Sequence, residues 1–157
     1  MGHRLTFALL GIPALIWAAA AVQIHKEGNL QVYKNCSVDL LAGEATCLTP
    51  QDGEQGDPTG HPKNKNEDFW FEKSKDAAYI SPLHNAMFAK GGLKEAGYDG
   101  CQDAKFSKSR LRIDNLPMGT HICVRTGKFS YAELRLSGFD TEGDRALFTF
   151  VTWEDRP

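Results

Sequence analysis

The chain lacks nearly every short motif that announces a chemistry. No G-x-S-x-G elbow is present, and no Ser or Cys stands in a motif that would set a base beside it. The histidines His25, His61, His84 and His121 are scattered and form no i, i+4 ligand pair. Four cysteines fall at positions 36, 47, 101 and 123, with no C-x₂₋₄-C pair among them, so the spacing of a structural zinc site is missing. There is no internal repeat. Basic clusters are missing too, because 18 Lys and Arg are set against 20 Asp and Glu for a formal charge of −2. That balance excludes a phosphate-tracking nucleic-acid binder and a polybasic grip on anionic lipid. No motif calls for a cofactor or a metal, and no residue is assigned a catalytic role.

What is present starts with an address. Met1 to Arg4 carries one positive charge, Leu5 to Val22 is free of charge, and the run ends in Ala18-Ala19-Ala20-Ala21. A basic start, an apolar core and a small-residue exit are the parts of an export signal. The competing expectation for residues 1–22 is a retained signal anchor, since a spanning helix needs roughly 20 apolar residues. Pro13 and the alanine-rich end favour cleavage after about Ala20 or Ala21. No cysteine follows the run directly, so no lipid attachment is expected. Without the segment, 17 basic and 20 acidic side chains remain. About 136 residues are left, enough for one domain with a real core over 23–157.

Export places the cysteines in an oxidising compartment, where an even number reads as disulfide staples. Leu30 to Tyr33 and Cys36 to Leu40 alternate with period two, Leu41 to Glu44 supplies a turn, and Thr46-Cys47-Leu48 returns as a partner strand. Cys36 and Cys47 then face each other across a hairpin, within disulfide reach. Four cysteines allow three pairings, and nearest-neighbour pairing, Cys36–Cys47 with Cys101–Cys123, is the expectation.

Residues 49–68 differ in kind. Pro50, Gly53, Gly56, Pro58, Gly60 and Pro62 punctuate a polar stretch that includes Glu67 and Asp68, which predicts an exposed, mobile loop. Phe69-Trp70-Phe71 restarts the folded part. Residues 83–98 read equally as helix or strand. Leu116 to Gly119 predicts a tight turn with Pro117 at its first central position. Thr120 to Thr126 then alternates, with Ile122 and Val124 on one face and His121, Cys123 and Arg125 on the other. Gly127-Lys128 makes a hairpin, and Phe129 to Leu136 sends Ala132, Leu134 and Leu136 inward and Tyr131, Glu133 and Arg135 outward. Asp140 to Asp144 turns the chain into Ala146 to Trp153, which is apolar on both faces and so expected in the interior of a sheet. The fold class is all-β or mostly β: a small disulfide-stapled sandwich or barrel-like domain, ending in a three-stranded meander, behind an N-terminal signal helix.

Candidate sites are few. Trp70, Tyr79, Tyr131 and Trp153 are weak candidates for ligand binding, since exposed aromatics suit sugar or protein contacts, with core packing as the competing role. Glu67, Asp68, Glu72 and Asp76 offer acid/base carboxylates, as any acidic surface does. Asp140, Glu142 and Asp144 around Gly143 resemble part of a calcium loop without its twelfth-position Glu, so an ordinary turn is expected. Asn35-Cys36-Ser37 fits the glycosylation pattern, but a disulfide at its middle residue argues against use.

A resemblance covers about residues 68–153. Asp68-Phe69-Trp70, Tyr79-Ile80-Ser81-Pro82, Gly97-Tyr98 with Cys101, and Ile122-Cys123-Val124-Arg125-Thr126 with Val151-Thr152-Trp153 are similar to small exported bacterial domains of the actinomycete type. Such domains occur alone or as outer parts of membrane-anchored chains, including some serine/threonine kinases. The resemblance implies a β-rich domain with a bridge between Cys101 and Cys123, and no activity. Family members tend to carry Gly-Arg after the hairpin where this chain has Gly127-Lys128-Phe129, so the hairpin tip implies no shared ligand.

The function expected from these features is a non-enzymatic exported interaction or sensor-like module of a bacterial envelope or secreted fraction. Its partner would be a protein or a cell-wall component, with membrane contact only through residues 5–22 if they are retained. The alternatives are a small envelope hydrolase using carboxylates between Glu67 and Asp76, and a secreted inhibitor using loop 49–68.

Overall fold

Period-two alternation is realised as two antiparallel sheets in a computed structural model that describes residues 22–47, 65–128, 130–140 and 144–154. The first sheet contains β1 (Ile24–Tyr33), β6 (Met87–Lys90), β8 (His121–Arg125), β9 (Tyr131–Asp140) and β10 (Arg145–Trp153), in the order β1-β10-β9-β8-β6. The second contains β2 (Cys36–Asp39), β3 (Glu44–Cys47), β4 (Phe69–Lys73), β5 (Ala78–Pro82) and β7 (Leu111–Arg112), in the order β3-β2-β4-β5-β7. One short helix, α1 (Gly97–Gln102), lies on the first sheet. Residues 1–21 of the export-signal segment and most of the polar loop lie outside the described residues. Among those residues, no helix is long and apolar enough to cross a membrane.

The inward faces of both sheets meet in one core containing Leu30, Val32, Val38, Phe69, Phe71, Ile80, Ile122, Val124, Leu134, Leu136 and Phe148. Phe69 of the second sheet packs edge-on against Phe88 and Phe148 of the first, at centroid distances of 6.1 and 6.2 Å. A smaller cluster forms on the outer face of the first sheet, where Tyr98 of α1 packs edge-on against Tyr131 and Trp153. The first sheet is therefore covered on both sides over part of its area. This explains why β10 is apolar on both faces, and β10 does run inside the sheet, between β1 and β9.

The expected meander is formed by β8, β9 and β10. Both expected disulfides are formed, Cys36–Cys47 and Cys101–Cys123, with Cα separations of 4.0 and 5.2 Å. Cys36 and Cys47 are direct partners in the β2–β3 ladder. Such bridges accord with an oxidising environment.

Several local expectations are corrected. Glu67 and Asp68, assigned to the exposed loop, are buried at 1% and 2% exposure. The Asp68 carboxylate accepts the Leu40 N–H at 2.9 Å and the Gly127 N–H at 2.8 Å, so a polar sequence is drawn inside by backbone donors. Residues 83–98 contain a strand at Met87–Lys90, paired with β8, and pass into α1 only at Gly97. The turn before β8 is one residue later than expected. Thr120 N–H donates to the Pro117 carbonyl, and Gly119 takes the positive φ of 86°, which only glycine adopts freely. β1 begins at Ile24 rather than Leu30 because its exposed, polar first half is held by pairing with β10 and shows no apolar alternation.

Candidate functional site

The β8–β9 register decides which outward side chains meet. His121 stands opposite Arg135, and Cys123 opposite Glu133, so His121 and Glu133 are diagonal neighbours. The His121 Nδ1 lies 2.8 Å from Glu133 Oε1. Glu133 also accepts the Ala96 N–H at 2.8 Å through Oε1 and the Gly97 N–H at 3.0 Å through Oε2. Ala96 has right-handed helical angles and Gly97 a φ of +66°, an alternation that aims successive N–H groups at one point. The Cys101–Cys123 bridge ties the helix that follows to the strand carrying His121. Glu133 is thus outward-facing, as expected from its phase, yet only 3% exposed because the lead-in to α1 covers it.

His121 and Glu133 floor a groove of about 490 Å³ on the outer face of the first sheet. Glu27, Glu95, Arg135, Thr149 and Val151 complete its polar and apolar lining. Two ladder rows cross it. One runs His121, Arg135, Thr149, Asn29, and the other runs Cys123, Glu133, Val151, Glu27. With the Nδ1 edge of His121 committed to Glu133, Nε2 is the ring nitrogen left for a ligand. Arg135 is exposed and has no ion pair among the described residues.

The second sheet's outer face is organised differently. A groove of about 370 Å³ is lined by Asn35, Glu72, Tyr79 and Arg110. Its charged groups are already engaged, Lys73 with Asp144 and Arg110 with Glu72. Arg110 lies 4.1 Å over the Tyr79 ring and 3.6 Å from Glu72, and Glu72 accepts the Ser81 hydroxyl at 2.8 Å. A third hollow of about 250 Å³ has Lys73, Asp76 and Asp114 on its walls. Asp114 is held down to about 2, chiefly by the hydrogen bonds from Arg112.

The candidates read from sequence are dispersed by the fold. Trp70 and Trp153 are each 6% exposed, on the outer faces of different sheets. Tyr131 is half-buried in the cluster with Trp153, and Tyr79 lies beneath Arg110. The four carboxylates do not share one cleft: Glu67 and Asp68 are buried, while Glu72 and Asp76 line separate hollows. Asp140 pairs with Arg145 and Asp144 with Lys73, while Glu142 and Gly143 lie outside the described residues. Among the described residues, no three metal-ligating side chains converge. His25 lies 3.6 Å from Glu154, His84 sits at a φ of 51°, and His61 lies outside the described residues.

Burial pushes Asp68 up to about 6 against the opposing pull of the Gly127 and Leu40 N–H groups. Glu67 is also raised by burial, and both its oxygens lack a hydrogen-bond partner among the described residues. Ser37 stands near enough to favour the charged form, but it donates its hydroxyl to the Thr46 carbonyl at 3.3 Å.

Glu133, Arg135, Glu95 and Glu27 were not singled out by the sequence. The one signal available was the shared outward phase of His121 and Glu133. The expected two-residue hairpin at Gly127-Lys128 would have paired His121 with Leu134. The observed ladder, closed by the Thr126 N–H donating to the Ser130 carbonyl, is shifted by one residue and makes His121 and Glu133 diagonal neighbours. Glu95 and Glu27 arrive from distant segments and leave no such trace. A scan against protein-family models gives no match, and no curated protein is significantly similar to the chain.

Proposed function

We propose that this chain is an exported, non-enzymatic interaction module that takes its ligand in the groove over the first sheet. The carrying observation is the His121 ring fixed by a buried Glu133 beside an Arg135 that has no counter-ion among the described residues. Pre-positioned polar groups in a mostly preformed concavity are what a binding site needs. The apolar, uncharged run at residues 5–22 and the two disulfides support a bacterial envelope or secreted location. So does the resemblance to exported domains. The partner is a protein or a cell-wall component.

An imidazole oriented by a carboxylate is also half of a hydrolytic dyad, which makes a small envelope hydrolase the second reading. The two separate in one experiment. ¹⁵N-labelled protein is titrated with a cell-wall peptide digest, and the digest is analysed afterwards by mass spectrometry. Shift changes confined to Glu95–Gly97, His121, Glu133 and Arg135, with the digest unaltered, are the expected result. New cleavage products lost in His121→Ala establish the hydrolase, and changes centred on Tyr79 and Arg110 remove the groove as the binding face.

A further inference from the structure

Resting on that groove, we propose that Arg135 and His121 receive the terminal carboxylate of a peptide whose last side chain is apolar. Arg135 is the exposed guanidinium of the groove, and no side chain among the described residues neutralises it. It lies against Gly119, where an added Cβ would come 3.7 Å from Nη2 and 3.8 Å from Nε. Gly119 therefore sits beside the Nε/Nη2 edge, and the Nη1 side of the exposed guanidinium is the one left for a carboxylate oxygen.

The neighbouring acid does not already serve as counter-ion. Glu133 spends its two oxygens on the Ala96 and Gly97 N–H groups and on His121 Nδ1. When the imidazole carries both protons, Nδ1–H goes to Glu133 and Nε2–H is free to donate to an incoming oxygen. Since His121 is the direct ladder partner of Arg135, the two donors serve one anion.

Two features choose the carboxylate and the peptide. Glu27 and Glu95 also line the groove, so a dianion such as phosphate meets repulsion that a single negative charge meets less. Glu27 lies two strands from Arg135, about 10 Å across the sheet, where it favours the amide N–H groups or a basic side chain further up a bound peptide. The second feature is apolar. Leu93 and Met118 are 66% and 52% exposed, Leu93 touches the same glycine position, and Met118 precedes it in the chain. An apolar side chain beside the carboxylate covers them, whereas a hydroxyl-rich sugar acid does not.

The test is calorimetry on the disulfide-bonded protein with acetyl-Gly-Ala-Leu as the free acid, the same peptide as its C-terminal amide, and galacturonate. The acid is expected to bind at least about tenfold more tightly than the amide. Arg135→Ala, at an exposed position, should remove that preference while near-UV circular dichroism stays unchanged, and Arg135→Lys should restore it only in part. Equal binding of acid and amide, no binding of the acid, or tighter binding of galacturonate overturns the proposal. If the amide binds as well as the acid with shifts still confined to the groove, the carboxylate inference fails while the groove stands as the binding face.

Discussion

Asp68 and Gly127 stand 59 residues apart in sequence, yet the Asp68 Oδ1 accepts the Gly127 N–H at 2.8 Å. The other oxygen accepts the N–H of Leu40, just after β2. One buried carboxylate therefore links the second sheet to the β8–β9 hairpin of the first. Asp68→Ala leaves two N–H donors unpaired and is expected to lower stability by about 2–4 kcal/mol, read from urea denaturation. Asp68→Asn keeps one acceptor and should lose about half as much. A change under about 0.5 kcal/mol for the alanine variant would show that the link carries no weight.

Acid should stabilise the fold between about pH 4 and 7. Asp68 is raised from 3.8 to about 6 by burial, opposed by its two N–H partners and Lys128 and reinforced by Asp39. Glu67 is raised the same way, with Ser37 and His84 opposing. A carboxyl raised on folding binds its proton more tightly in the native state, so its stability contribution is full below the unfolded value and is lost as pH rises through the folded one. For Asp68 the change is on the order of 3 kcal/mol. Thermal melts should give a higher Tm at pH 5 than at pH 7, and Asp68→Asn with Glu67→Gln should flatten the profile. A wild-type Tm that rises from pH 5 to 7 contradicts this.

Glu133→Ala removes the acceptor for Ala96, Gly97 and His121 together, and is expected to cost about 2–4 kcal/mol. Amide exchange at Ala96 and Gly97 should speed up while the β2–β3 hairpin stays protected. Unchanged exchange at those two amides would show that the carboxylate does not hold the segment.

The two disulfides should separate by site. Replacing either pair with serine is expected to cost about 3 kcal/mol through the unfolded chain. Only Cys101→Ser with Cys123→Ser frees α1 from the strand that carries His121. That pair should also weaken ligand binding in the groove, whereas Cys36→Ser with Cys47→Ser should leave binding intact. Equal effects on binding would mean that the bridge does not position the groove.

What the residues determined alone is what depends on neighbours in the chain. Alternation in Thr120 to Thr126 and in Tyr131 to Leu136 specifies strands and their inward faces, because a strand's side chains alternate by geometry. A short turn between Asp39 and Glu44 brings Cys36 opposite Cys47, as the nearby alternation implied. The β8–β9 register, by contrast, is one residue off the one that a two-residue turn at Gly127-Lys128 would set. Tertiary structure decided where charge is buried. Asp68 and Glu133 read as ordinary surface acids, and each is drawn inside by backbone N–H groups from segments far away in sequence, Leu40 and Gly127 for the one, Ala96 and Gly97 for the other. An N–H donor is the same at every residue and leaves no mark in the sequence, so the groove and its fixed histidine became visible only once those distant segments were packed together.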